Sequence, residues 1–142
     1  MTVRIGSARY DGLGKEGKGR VSLGSGLLKD EPYGFGTRFA DESGTNPEEL
    51  VAAAHASCFT MALSFALARE GLADGTLETT ARVTLEKQGE GFAVTRSDLS
   101  LDATVPGIDE ARFREVAEGA KANCPISKLL NAEIGLDIRF SG

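Results

Sequence analysis

The chain has 142 residues, 41% apolar and 26% charged, with a formal net charge of −5. That length suits a single domain over residues 1–142 with a core of its own, needing neither metal nor disulfide to hold it. The acidic balance and the lack of a basic stripe exclude a dedicated nucleic-acid surface, because neutralising phosphates needs clustered cations. No apolar run is expected to reach the roughly 20 residues that span a bilayer. The start, MTVRIGSARYDG, has neither the apolar core of a signal peptide nor the amphipathic pattern of a transit peptide. The expected location is the cytoplasm, where thiols stay reduced and cysteine pairs are more often redox-active than structural.

Short strands between glycine turns are predicted over the first forty residues, in GKGRVSLGSGLLK and in GFGTRFADE, which carries Arg38. A helix is predicted over residues 47–70. Asn46 suits the N-cap, Pro47 the first helical position, Glu49 the third place of a capping box, and Gly71 the stop. Its composition is apolar nearly all round, which predicts a central helix buried on several sides. LETTARVTLEK then alternates, with Leu77, Thr79, Ala81, Val83 and Leu85 on one face. The turn QGEG leads into a longer strand whose inward candidates are Phe92, Val94, Leu99, Leu101 and Ala103. Pro106 ends it. A second helix is predicted from Asp109 to about Ala122, with Phe113, Val116 and Ala117 on one stripe. Pro125 breaks it, ISKLLN forms a helical turn, and AEIGLDIRF closes as a strand. The expected order is βββ-α-ββ-α-β, an α+β chain without repeats.

The chemistry-bearing residues are few. Cys58 lies mid-helix in AAAHASCF, and Cys124 stands at the helix end NCPIS. A free cysteine in an apolar helix is commonly a small hydrophobe, and burial raises its pKa unless a cation or hydrogen-bond donor opposes it. His55, the single histidine, lies three residues before Cys58. Side chains at that spacing seldom align for proton transfer, and a packed, hydrogen-bonded core role is the simpler expectation. Two Cys and one His spaced by 3 and 66 residues match no compact zinc pattern, so no metal and no bound cofactor is expected. Arg38 is a better activator, because a guanidinium favours a thiolate and a neighbouring carboxylate can fix its orientation.

GTNPEELVAAAHASCFTMALSFAL, with NCPISKLL downstream and an Arg 20 residues before the first Cys, resembles the OsmC/Ohr family of thiol-dependent peroxidases. The His of AHASCF brings it closer to the OsmC branch. The resemblance implies β-sheets packed around a long central helix in an intertwined homodimer. It implies that Cys58 attacks the peroxide and becomes a sulfenic acid, and that Cys124 resolves it as a disulfide. It further implies that Arg38 and Glu48 lower the thiol pKa and hold the peroxide. Organic hydroperoxides are then preferred over hydrogen peroxide, dihydrolipoamide or a lipoylated protein is the reductant, and the role is oxidative or osmotic stress defence.

Helix arithmetic adds one constraint. Glu48 and Cys58 are ten residues apart, about 15 Å along one axis. Two copies of the helix crossing antiparallel near Ala53 would set Glu48 of one opposite Cys58 of the other, with Ala52, Ala53, Ala54 and Ala56 allowing close approach. An obligate homodimer with composite sites is therefore expected, with Glu49 structural. Phe35, Phe39, Leu50, Phe59 and Met61 are candidates to line the site, Phe59 and Met61 more simply as core. Ile126 reads as packing and Lys128 as a solvated charge. Two other functions fit the residues: a non-enzymatic thiol redox sensor, and a dimer that binds an apolar ligand beside inert thiols.

Overall fold

A computed structural model describing residues 1–142 shows six strands and four α-helices, divided between two units, Met1–Leu50 and Val51–Gly142. In the first unit, β1 (Gly6–Asp11), β2 (Lys18–Leu23) and β3 (Glu31–Tyr33) form an antiparallel sheet in that order. Residues 35–39, expected as a strand, are instead the short helix α1 (Phe35–Phe39). The aromatic and β-branched composition of GFGTRF suggests a strand, but Thr37 overrides it. Its Oγ1 accepts the Gly34 N–H at 2.8 Å, while the Arg38 N–H reaches the Gly34 carbonyl at 3.2 Å. Local capping thus satisfies groups a sheet edge would otherwise have to pair.

Helix α2 (Pro47–Arg69) starts and stops where its sequence signals lie. Asn46 Oδ1 accepts the Glu49 N–H at 2.8 Å, and Gly71 follows the helix with φ +88°. The Glu49 carboxylate accepts the Thr45 hydroxyl at 3.1 Å, so Glu49 serves the helix start through Thr45. Within the chain α2 buries one stripe only, His55, Phe59, Leu63 and Leu67, at the spacing of successive turns. The expected burial on several sides is not met by one chain: Met61 and Phe65 are 62% and 61% exposed. Contrary to the sequence expectation, α2 is long and apolar enough to cross a membrane, with mean hydropathy 1.7. A core helix passes the same test, and α2 gives Phe59, Leu63 and Leu67 to the buried cluster.

The second unit builds that core. β4 (Thr76–Gln88) and β5 (Gly91–Thr104) form a hairpin turned by Gly89 and Glu90, with Gly89 at φ +60°. β6 (Glu133–Ser141) pairs parallel to β5, giving the order β4-β5-β6. The parallel return requires a crossover, supplied by α3 (Glu110–Asn123) and α4 (Pro125–Leu129). Asp109 caps α3, its carboxylate accepting the Arg112 N–H at 2.8 Å. Leu99, Leu101 and Ala103 of β5 meet Phe59, Leu63 and Leu67 of α2 and Phe113 and Ala117 of α3 in one buried cluster.

One inward assignment fails, that of Phe92, although a bulge preserves the face on which it was placed. Thr84 pairs with Arg96 and Leu85 with Val94, leaving Thr95 as the extra residue of β5. The inward parity therefore changes there, which puts Val94 and Phe92 on the same face as Leu85, as their assignment required. Val94 is half-buried, but Phe92, expected inward, is 53% exposed near the hairpin end, beyond the reach of the cluster.

Candidate active site

Each unit contributes one pair of the expected residues. In the first, Arg38 on α1 meets Glu48 in the first turn of α2. Arg38 Nε donates to Glu48 Oε1 and Nη2 to Oε2, both at 2.9 Å. This two-pronged pair fixes the plane of the guanidinium. Glu48 is the more buried partner, its side chain 14% exposed against 35% for Arg38. The guanidinium also lies 5.4 Å from the centre of the Phe39 ring. Arg38, Phe35, Phe39, Tyr10, Tyr33 and Pro47 border an open cavity of about 430 Å³. The Phe35 and Phe39 rings lie 5.1 Å apart. A charged fork at the rim of an aromatic cleft can take a polar head joined to an apolar tail.

In the second unit the two thiols come together, both unbridged. Cys58 is half-buried on α2. Cys124 is fully buried at the junction of α3 and α4, where Pro125 turns the chain. Burial pushes the Cys58 thiol up, opposed by the Ile126 N–H and reinforced by the neighbouring Cys124. Burial also acts upward on Cys124. It is outweighed there by the Ser127 N–H, the Cys58 thiol, the Ser127 hydroxyl and the Ile126 N–H, so Cys124 lies below the ordinary thiol value. Cys124 makes no conventional cap hydrogen bond at α4, yet the first N–H groups of that turn favour its thiolate. The pair is therefore asymmetric: one sulfur half-buried and pushed up, the other fully buried and drawn down.

His55 does not turn toward Cys58. It is fully buried, with Nδ1 2.6 Å from Ser97 Oγ and Nε2 2.8 Å from Ser127 Oγ, and burial lowers its pKa. The core role expected of it holds. Phe59 is core, as expected, while Met61 is exposed in the single chain. Ile126 packs against the core cluster and Lys128 is exposed. Sequence reasoning missed Ser97 and Ser127. Ser97 was detectable as the polar residue two places before Leu99, on the inward parity of Leu99, Leu101 and Ala103. Ser127 carried no signal beyond its place after CPI. No three His, Cys, Asp or Glu side chains cluster as metal ligands.

The family described as OsmC-like protein matches residues 40–139. Peroxiredoxin OsmC of Escherichia coli K12 is 52% identical over 141 residues, 99% of either chain. An organic hydroperoxide resistance protein-like chain of Staphylococcus aureus USA300 is 34% identical over 103 residues, 72% of this chain and 73% of that one. The crystal structure of the organic hydroperoxide resistance protein OhrB of Bacillus subtilis superposes with a TM-score of 0.71 at 27% identity, covering 97% of this chain and 98% of that chain.

Proposed function

The chain belongs to the OsmC-like family of thiol-dependent peroxidases, and we propose that it reduces organic hydroperoxides to alcohols through a Cys58 sulfenic acid and a Cys58–Cys124 disulfide. The observation that carries this reading is the asymmetric pair of free thiols, Cys58 partly exposed and Cys124 fully buried beside it. A peroxide from solvent meets Cys58 first. The Cys58 thiolate attacks the outer oxygen, an S–O bond forms, the O–O bond breaks, and the alkoxide takes a proton to leave as alcohol. The Cys124 thiolate then attacks Cys58 Sγ. The S–S bond forms and hydroxide departs, protonated to water.

Cys58 needs an activator, because its own surroundings push its pKa up. Arg38, oriented by Glu48, is the cation suited to that task. The reading brings it there through an obligate homodimer. Antiparallel crossing of two α2 helices near Ala53 sets Glu48 of one copy opposite Cys58 of the other, and covers apolar residues that one chain leaves exposed, Met61 and Phe65 among them. The cleft between Phe35 and Phe39 then receives the carbon tail, which favours organic hydroperoxides over hydrogen peroxide. An external dithiol, dihydrolipoamide or a lipoylated protein, reduces the disulfide. The reading locates the cycle in the reducing cytoplasm, as a defence against oxidative or osmotic stress.

The test is consumption of cumene hydroperoxide with dihydrolipoamide by the wild type, Cys58→Ser and Cys124→Ser. Turnover is expected in the wild type and lost in Cys58→Ser, with a sulfenic acid trapped on Cys58 in Cys124→Ser. A wild type that consumes no peroxide, or a Cys58→Ser variant that still does, sinks the proposal.

A further inference from the structure

The two-cysteine cycle leaves a buried polar bridge unused. The His55 ring on α2 meets Ser97 Oγ of β5 at Nδ1, 2.6 Å away, and Ser127 Oγ of α4 at Nε2, 2.8 Å away. His55 and Ser97 are completely buried and Ser127 is 9% exposed. A serine hydroxyl both donates and accepts, so a neutral ring completes both bonds in either tautomer. Every buried side-chain nitrogen and oxygen has a partner, and breaking this bridge strands one of them at a cost well above the net worth of an ordinary hydrogen bond.

The bridge joins the two elements that carry the thiols, at matching distances from both. His55 precedes Cys58 by three residues and Ser127 follows Cys124 by three. On α2 that spacing sets neighbours on successive turns. On α4 the Lys128 N–H donates to the Cys124 carbonyl at 3.1 Å, while the Cys124 N–H donates to the Ala120 carbonyl at 2.9 Å, so Ser127 and Cys124 move as one piece of backbone. Ser127 is the one buried residue of α4: Ile126 packs in part and Leu129 is 74% exposed. Apolar burial is non-directional, and α4 contributes little of it. What fixes α4 at one place along α2 is the hydrogen bond to His55, whose ring is itself held at its other nitrogen by Ser97.

We propose that the His55–Ser127 bond sets the register of α4 on α2 and so holds Cys124 within disulfide reach of Cys58, which makes His55 and Ser127 positioning residues for closure of the bridge. The inference rests on the disulfide reading above. In the step concerned, the Cys124 sulfur attacks the Sγ of the Cys58 sulfenic acid. The S–S bond forms, the S–O bond breaks, and the departing hydroxide takes the Cys124 proton to leave as water. Closure needs the two Cα atoms within about 7 Å, and a misplacement of about 1 Å can cost an intramolecular step roughly a hundredfold. Register along α2 is therefore the quantity that the bridge controls, with no demand on the charge of either sulfur.

The direct readout is the effective molarity of the two thiols, which needs no peroxide. The reduced full-length protein is equilibrated in glutathione buffers of stepped thiol-to-disulfide ratio, and the Cys58–Cys124 bridge is counted against glutathione adducts by peptide mass. Ser127→Ala is expected to lower the effective molarity about tenfold, whereas Ser127→Thr, which keeps the hydroxyl, holds the parent's value. His55→Asn cuts the same bond from the other side, because its shorter amide meets Ser97 but not Ser127, and should fall with Ser127→Ala. Ser97→Ala removes an equally buried bond of the same ring while leaving the link to α4, and should lose less than about threefold. An unmoved value in Ser127→Ala or His55→Asn overturns the inference, as does a Ser127→Thr variant that falls like Ser127→Ala. An equal loss in Ser97→Ala also overturns it, since the bridge would then act only as core. A parent that forms no Cys58–Cys124 bridge at any ratio overturns the disulfide reading itself.

Discussion

Cys58 and Cys124 carry opposite shifts because a sulfur's basicity follows its immediate donors. Cys58 has burial and a second sulfur against it and one N–H in its favour. Cys124 has two N–H groups and a hydroxyl. If Arg38 supplies the missing donor in the assembled site, Arg38→Met should raise the midpoint for Cys58 alkylation by iodoacetamide, slowing labelling at neutral pH by about tenfold. Equal labelling rates in the two proteins would remove Arg38 from the site. His55 gives a second residue-scale expectation. Its folded pKa lies below the ordinary value of 6.5, so the unfolded chain binds a proton there that the folded chain refuses. Stability then rises with pH while the unfolded ring loses that proton, and falls as pH drops through 6.5 toward the folded pKa. Glu70 and Asp98, held low by Arg112 and Arg96, contribute stability that is lost only further down, below the ordinary carboxylate values. Urea unfolding between pH 7 and pH 5.5 should therefore show a slope approaching one proton, and a flat profile in that window would mean that His55 titrates normally.

At the scale of elements, the sequence patterns that specified the fold were those enforced by backbone chemistry. The start of α2 was legible because Asn46 and Pro47 satisfy and pre-set a helix terminus whatever surrounds them. Asn46→Ala should cost about 1 kcal/mol in urea unfolding, with no change in the denaturant slope. Phe59 was legible as core from its surroundings in an apolar helix, and it is completely buried against β5 and α3. Phe59→Ala should cost about 3–5 kcal/mol; a loss under 1 kcal/mol would mean the cluster collapses around the gap. What sequence could not show depends on tertiary pairing. Residues 35–39 are the exception: their composition reads as strand, while the local bonds of Thr37 and Arg38 to Gly34 close a helical turn. Phe92 keeps the face assigned to it but lies at the hairpin end, beyond the buried cluster, and alternation alone does not reveal how far the cluster reaches. Ser127 gains its meaning from a histidine 72 residues away. The thiols were legible as a pair from composition and motif, whereas their unequal burial needed the fold.

At the scale of the molecule, α2 poses a problem of surface. Its buried stripe uses one face, while Met61 and Phe65 stand open in the single chain. Large apolar side chains left open on one helix face mark an interaction face. The proposed antiparallel dimer answers it with a second copy of the same helix, and the same crossing would carry the Arg38–Glu48 pair to Cys58. Coverage and activation thus stand or fall together, which makes them separable from a merely stabilising contact. Phe65→Glu places a charge on the exposed face without touching the thiols or the Arg38–Glu48 pair. It should shift the sedimenting species from dimer toward monomer and lower peroxide turnover in parallel, with turnover recovering as protein concentration is raised, because the proposed site is completed only by association. A variant that sediments as a monomer yet turns over at the parent's rate would show that one chain completes its own site, and would leave the crossing of α2 helices without a catalytic role.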